Sequence, residues 1–138
     1  ALILTEGEKM LLSPTYHVFV LYKNHQNAEL CYSSTADENQ EGYNLPFISQ
    51  SVSVNSDNEM ALTVSNCSLT ECKTIEADIC GFSFDSVRAR ILSAESNAHN
   101  TFDDPENVTI AEFDKVTKSD SGITFTLPPC SVAEIILS

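Results

Sequence analysis

Two hydrophobic patterns divide this chain, and their mismatch limits what it can fold into. Residues Ala1 to Gln26 make an apolar, helix-like opening, and from Glu29 onward the apolar side chains recur every second residue. Within the opening, Ser13-Pro14 supplies an N-cap hydroxyl followed by proline at the first helical position. Tyr16 to Tyr22 is apolar on all sides, and Val18, Phe19 and Val20 favour a strand by composition. The pattern alone fits a buried helix or a buried strand. The cap favours a helix that ends near His25. A helix apolar all round needs neighbours to bury it, and one small β-domain offers few.

The rest of the chain reads as strands. Phe47 to Val54 sets Ile48, Val52 and Val54 against Ser49, Ser51 and Ser53, and Met60 to Cys67 places Leu62 and Val64 on one face. Asn55 to Asn58 is the turn between them. Lys73 to Cys80 points Ile75, Ala77 and Ile79 inward. Ser86 to Leu92 does the same with Val87, Ala89 and Ile91 and leaves Arg88 and Arg90 outside. Val108 to Phe113, Gly122 to Leu127 and Ser131 to Leu137 follow, with turns at Lys118 to Gly122 and at Pro128-Pro129. Strands at this spacing, each with one buried face, predict a mainly β chain: an antiparallel β-sandwich, jelly-roll-like, preceded by a short N-terminal helix. Ser33 to Asn44 and Ala94 to Glu106 are long connections, and long loops call for a reason.

Composition excludes several function classes. A chain of 138 residues is one domain, able to bury roughly 68% of its unfolded surface. No apolar run approaches the roughly 20 residues of a membrane-spanning helix. Seven basic against twenty acidic side chains give a net charge of −13, a surface that repels phosphate backbones, so no nucleic-acid partner is expected. Five cysteines, Cys31, Cys67, Cys72, Cys80 and Cys130, form an odd set without a CxxC pair. That pattern reads as reduced, mostly buried thiols in a reducing compartment. The sequons at Asn66 and Asn107 would matter only after secretion.

Catalytic and metal constellations are weak. Glu6 and Glu8 flank Gly7, which would turn them apart. Asp103-Asp104-Pro105 fits a capped turn better than a calcium ligand set. His17 and His25 lie eight residues apart on a helix, roughly 12 Å at ~1.5 Å per residue, too far to share an ion. His17 fits a buried histidine bonded to nearby backbone. There is no nucleophile elbow and no phosphate-binding glycine loop, and no metal or cofactor is expected.

Three blocks together carry a family resemblance: Ile3 to Phe19 (ILTEGEKMLLSPTYHVF), Asn97 to Val108 (NAHNTFDDPENV) and Leu127 to Val132 (LPPCSV). In order and spacing they resemble the C-terminal part of the α-L-arabinofuranosidases of glycoside hydrolase family 51, over nearly the whole chain. Cys130 stands where that family usually has a small or polar residue. The resemblance implies a two-part retaining enzyme, with the active site on a (β/α)8 barrel and a β-sandwich after it. Residues 1–26 are then the tail of the barrel with its last helix, and residues 27–138 the sandwich. The two glutamates of a retaining glycosidase, roughly 5–5.5 Å apart, belong to upstream motifs without a counterpart here, so no catalytic residue is assigned.

On that reading polypeptide precedes Ala1, and the chain covers and stabilises the barrel. His99, Asn100, Thr101 and Phe102, with Tyr16 and His17, are the expected domain-interface residues. The implied partners are the barrel of the same polypeptide, an arabinan or arabinoxylan substrate for the parent enzyme, and further copies of the full-length enzyme. A cytoplasmic location and no membrane partner are expected. The competing classes are a free-standing carbohydrate-binding sandwich and a protein-interaction sandwich. The former usually stacks sugars on exposed aromatic rings. This chain has no tryptophan, leaving Tyr32 and Tyr43 as loop candidates.

Overall fold

A computed structural model describes residues 1–36 and 45–138. The described chain starts with β1 (Ile3–Glu6), β2 (Lys9–Leu12) and helix α1 (Pro14–Tyr22), followed by a single 3₁₀ turn, Lys23–His25. Nine strands follow: β3 (Glu29–Leu30), β4 (Ile48–Val54), β5 (Met60–Asn66), β6 (Lys73–Asp78), β7 (Val87–Ser93), β8 (Ala111–Glu112), β9 (Thr117–Lys118), β10 (Gly122–Leu127) and β11 (Ser131–Leu137). Six of them form an antiparallel sheet in the order β3-β4-β5-β11-β7-β8, and three form a second in the order β6-β10-β9. This is the antiparallel sandwich expected from the period-two runs. The seven runs become β4, β5, β6, β7, β8, β10 and β11, though Val108 to Phe113 shrinks to the two residues of β8. The two-residue β3 and β9 are too short to carry a periodic signal.

The core lies between the sheets. On β11, Ala133, Ile135 and Leu137 point inward and meet Leu62 and Val64 of β5, Ala89 of β7, and Ile123, Phe125 and Leu127 of β10. The last three, with Ile135, Leu137 and Ala133, are sealed from water. Gly122 begins β10 opposite Asp78, and a Cβ there would lie 2.0 Å from the carbonyl oxygen of Ala77. Only glycine lets the strands approach that closely.

The opening corrects the reading of Ala1 to Gln26 as one helix-like segment. Its first half is an antiparallel hairpin, with Ile3 opposite Leu12, Leu4 opposite Leu11 and Glu6 opposite Lys9. The reason is the two-residue loop Gly7-Glu8, in which Gly7 has φ +58, a conformation glycine adopts without Cβ strain. The helix starts where the cap placed it, with Ser13 Oγ accepting from the Tyr16 N–H at 3.4 Å and Pro14 in the first turn. It runs to Tyr22 and tightens to 3₁₀ geometry through His25.

The cysteines also depart from expectation. None is fully buried: Cys67, Cys72 and Cys80 are exposed, Cys31 and Cys130 are half-buried, and all five are free thiols. Each sits at a strand end or in a connection rather than on an inward face. Residues 33–36 of the first long connection carry no regular structure; the remainder of that loop, with Tyr43, lies outside the described residues.

Replacing Gly122 with alanine should lower stability by about 1–3 kcal/mol through overpacking, read as a fall in the urea midpoint at unchanged slope.

Candidate functional site

On a two-layer sandwich the outer face of each sheet would normally meet water. Here helix α1 and its 3₁₀ extension lie on the outer face of the six-stranded sheet. Leu21, sealed from water, packs with Leu92 of β7, Val108, and the flanking Val18, Ala94, Ala98, Ile110 and Val132. This second, smaller core joins the helix, the outward side chains of β7 and β11, and the long connection after β7.

A polar clasp finishes the contact at the C-terminal end of the helix. Glu134 projects outward from the middle of β11, yet only 2% of it is exposed. Its Oε1 accepts from Asn24 Nδ2 at 2.7 Å, and its Oε2 accepts from Arg90 Nε at 2.9 Å and Nη2 at 2.5 Å. Arg90 lies opposite Glu134 in the β7–β11 register, so the sheet itself brings two guanidinium N–H groups onto one carboxylate oxygen, a charge-assisted contact. One residue further along the turn, His25 Nδ1 shares a hydrogen bond of 2.7 Å with Ser53 Oγ, and its Nε2 bonds Thr63 Oγ1. Ser53 and Thr63 are buried although they stand on the outward faces of β4 and β5. Among the described residues, no fully buried side-chain nitrogen or oxygen lacks a partner.

Burial holds the His25 pKa below its ordinary value, with the nearby Glu134 charge opposing the shift. Burial raises the pKa of the Tyr22 phenol, and Cys67 adds to this. Tyr22 and His25 lie with ring centres 5.7 Å apart.

The expected interface residues fall into two groups that no hydrogen bond among the described residues joins. Asn100 is buried and acts as a hub. Its Nδ2 donates to the carbonyls of Leu12 and Val108, both at 2.9 Å, and its Oδ1 accepts from the Val108 N–H at 2.6 Å. It therefore ties the end of the hairpin to the connection after β7. Thr101 and Asp104 close a turn, with Thr101 Oγ1 accepting from the Asp104 N–H at 3.0 Å. His99 is exposed; its ring bonds Asn97 O and its carbonyl accepts from Asn107 Nδ2 at 3.0 Å, while Phe102 is half-buried. In the other group Tyr16 and His17 are half-buried and meet edge to face at 5.7 Å. The His17 ring makes no hydrogen bond among the described residues, which corrects the backbone-bonded role; the histidine whose ring is bonded is the half-buried His25.

Sequence reasoning missed Asn24, Arg90 and Glu134. Alternation on β7 sets Arg90 toward water, but it is half-buried against Glu134. The available signal was a lone acid inside the apolar run Ser131 to Leu137, aligned with an arginine on the neighbouring strand.

Two open depressions lie on the surface, the first at the clasp. One, about 330 Å³, has Asn24, Arg88, Arg90, Glu112, Asp114 and Glu134 in its wall; the other, about 600 Å³, lies over the connection after β7 and includes His99, Thr101, Asp104 and Asn107. Both oxygens of Glu134 are engaged, so it is a structural anion rather than a free acid. No metal-holding group of three or more His, Cys, Asp or Glu occurs among the described residues.

The family model for the α-L-arabinofuranosidase C-terminal domain matches residues 1–131. The chain belongs to this family. A curated member, the intracellular exo-α-L-arabinofuranosidase of Bacteroides ovatus, is 28% identical over 99% of the chain. The crystal structure of the family 51 arabinofuranosidase from Xanthomonas axonopodis pv. citri superposes on the whole chain with a TM-score of 0.92 and 28% identity. The thermostable family 51 enzyme of Thermotoga petrophila, 22% identical with a TM-score of 0.86 over 99% of the chain, shares the fold. This arabinofuranosidase C-terminal domain spans 27% of the Bacteroides relative and 29% of the Xanthomonas one. No described helix is long and apolar enough to cross a membrane.

Two outcomes follow from the clasp. Glu134→Ala should cost about 1–3 kcal/mol through loss of its charged hydrogen bonds to Arg90 and Asn24, and a double-mutant cycle with Arg90→Ala should show coupling. Because folding depresses the His25 pKa, the unfolded chain takes up the proton first. The His25 contribution is present above the unfolded value of about 6.5 and shrinks as pH falls below it. Thermal melts between pH 7.5 and 5.5 should therefore show a smaller decline in Tm for His25→Gln than for the parent.

Proposed function

We propose that this chain is the accessory, stabilising region of a retaining α-L-arabinofuranosidase of the cytoplasm. The parent enzyme removes terminal non-reducing α-L-arabinofuranosyl residues from arabinan- or arabinoxylan-type chains. The observation that carries the reading is the extent of the matches: they run the length of this chain but cover less than a third of each relative. Residues 1–26 then form the tail of the catalytic barrel and residues 27–138 the sandwich. The catalytic glutamates belong to the barrel, and the part described above supplies the body against which it rests.

The hairpin supports this division. An isolated two-stranded ribbon is marginal in water, yet β1–β2 leaves Leu2, Ile3, Leu4 and Met10 uncovered, and Phe19 on the adjoining helix is 63% exposed. Glu134, Asn24, His25 and Asn100 fix this segment to the sandwich, so the apolar surface is held at a set angle for the barrel to cover. The exposed His99 and Thr101, with the half-buried Tyr16, His17 and Phe102, are placed in this reading at the margin of the same contact. A free-standing sugar-binding module is not favoured, because Tyr32 is exposed alone, without a second ring beside it among the described residues.

The decisive assay uses nitrophenyl α-L-arabinofuranoside. The 138-residue chain should release no nitrophenol, whereas the same chain joined to an upstream barrel should. Turnover by the chain alone would overturn the assignment. Phe19→Ser should lower the Tm of the joined polypeptide by several degrees while leaving that of the isolated chain within about two degrees, since exposed substitutions shift stability by only about ±0.5 kcal/mol.

A further inference from the structure

Two of the five thiols lie at the same end of the central strand pair. β5 and β11 are antiparallel, and their last paired row sets Asn66 opposite Ser131. Cys67 and Cys130 are the next residues beyond that row, one on each side of it. The Cys67 N–H donates to Phe47 O at 2.8 Å and therefore faces β4. Adjacent antiparallel strands hold facing Cα atoms about 4.5–5.5 Å apart. A disulfide spans Cα separations of about 4.4–6.8 Å.

The local backbone holds Cys130 against Ser68, the residue after Cys67. Cys130 has φ +50, and its N–H turns to Ser68 O at 2.9 Å, while its Sγ lies 3.6 Å from the same carbonyl. Cys67 Sγ is exposed, 4.0 Å from Ser65 Oγ on the outward face. Cys72, closer to Cys67 in sequence, stands immediately before β6. Asn66 faces the core, and its Nδ2 holds Glu71 O at 2.8 Å and Pro128 O at 2.9 Å, so the chain after Glu71 departs into β6 of the opposite sheet.

We infer that Cys67 and Cys130 form a redox-modification site that closes as an intrachain disulfide under oxidation by hydrogen peroxide. One thiol sulfur attacks the peroxide O–O bond, giving a sulfenic acid and one water. The other thiol then displaces the hydroxyl as a second water, leaving the S–S bond and consuming one peroxide. The link staples β5 to β11, the ladder on which the central sheet is built. Thiol reductants reverse it. The site is independent of whether the parent hydrolyses arabinofuranosides.

The test is peptide mapping of the peroxide-treated protein, alkylated without reduction and cut with trypsin. The expected product joins peptide 24–73 to peptide 119–138, with fragmentation placing the bond at Cys67 rather than Cys31 or Cys72. Dithiothreitol should abolish it. Cys80→Ser should leave the link intact, and Cys130→Ser should remove it and leave a sulfenic acid at Cys67 that dimedone traps. A link between Cys67 and Cys72, or Cys67 and Cys130 remaining fully alkylatable after treatment, would overturn the inference.

Discussion

A carboxylate withdrawn from water in the middle of a sheet sets the terms for the rest of this molecule. Moving an ion such as Glu134 out of solvent is costly unless its oxygens are satisfied. The sheet provides one partner, Arg90, through strand register, and the turn after the helix provides the other, Asn24. The helix can therefore sit in only one position along the outer face without leaving an oxygen of that carboxylate unbonded. Neighbouring pairs at His25 and Asn100 repeat the logic over shorter distances. Apolar packing around Leu21 supplies attraction, while the polar bonds supply the register.

Most of the sandwich was legible because its inner faces obey a simple rule. Leu62 and Val64, Ala89 and Ile91, and Ile123, Phe125 and Leu127 all alternate, and all belong to the core between the sheets. Capping chemistry at Ser13-Pro14 fixed the start of the helix for an equally local reason. What failed was long-range. Ser53 and Arg90 read as solvent-facing, since nothing in β4 or β7 tells that a helix far away in sequence covers their outer side. Exposed strand polarity and buried strand polarity look the same until the partner is known.

The opening failed for a different reason. Ile3-Leu4 and Met10-Leu11-Leu12 show neither a period of two nor one of 3.6, and the apolar content alone resembled the helix beside it. Gly7 was the only punctuation. The cysteines were misplaced because small apolar character was weighed without strand position: Cys67, Cys72 and Cys80 sit just past strand ends, where the chain leaves the core. The residues expected at the interface take unlike structural places. Asn100 is the residue whose side chain spans two segments, whereas His99 beside it points to solvent and bonds locally.

The nine-residue helix is fastened unevenly. Leu21 is its one fully buried residue, and the bonds of Asn24 and His25 follow immediately after its last turn. Its first turn rests on the Ser13 cap and on half-exposed side chains. Opening from that end breaks few contacts, so amide exchange should be quickest near residues 15–19 and slow sharply toward Tyr22. Such a gradient gives a segment moored at Leu12 and again at Asn24 and His25, with its slack in the turn between, as a rope has between two cleats.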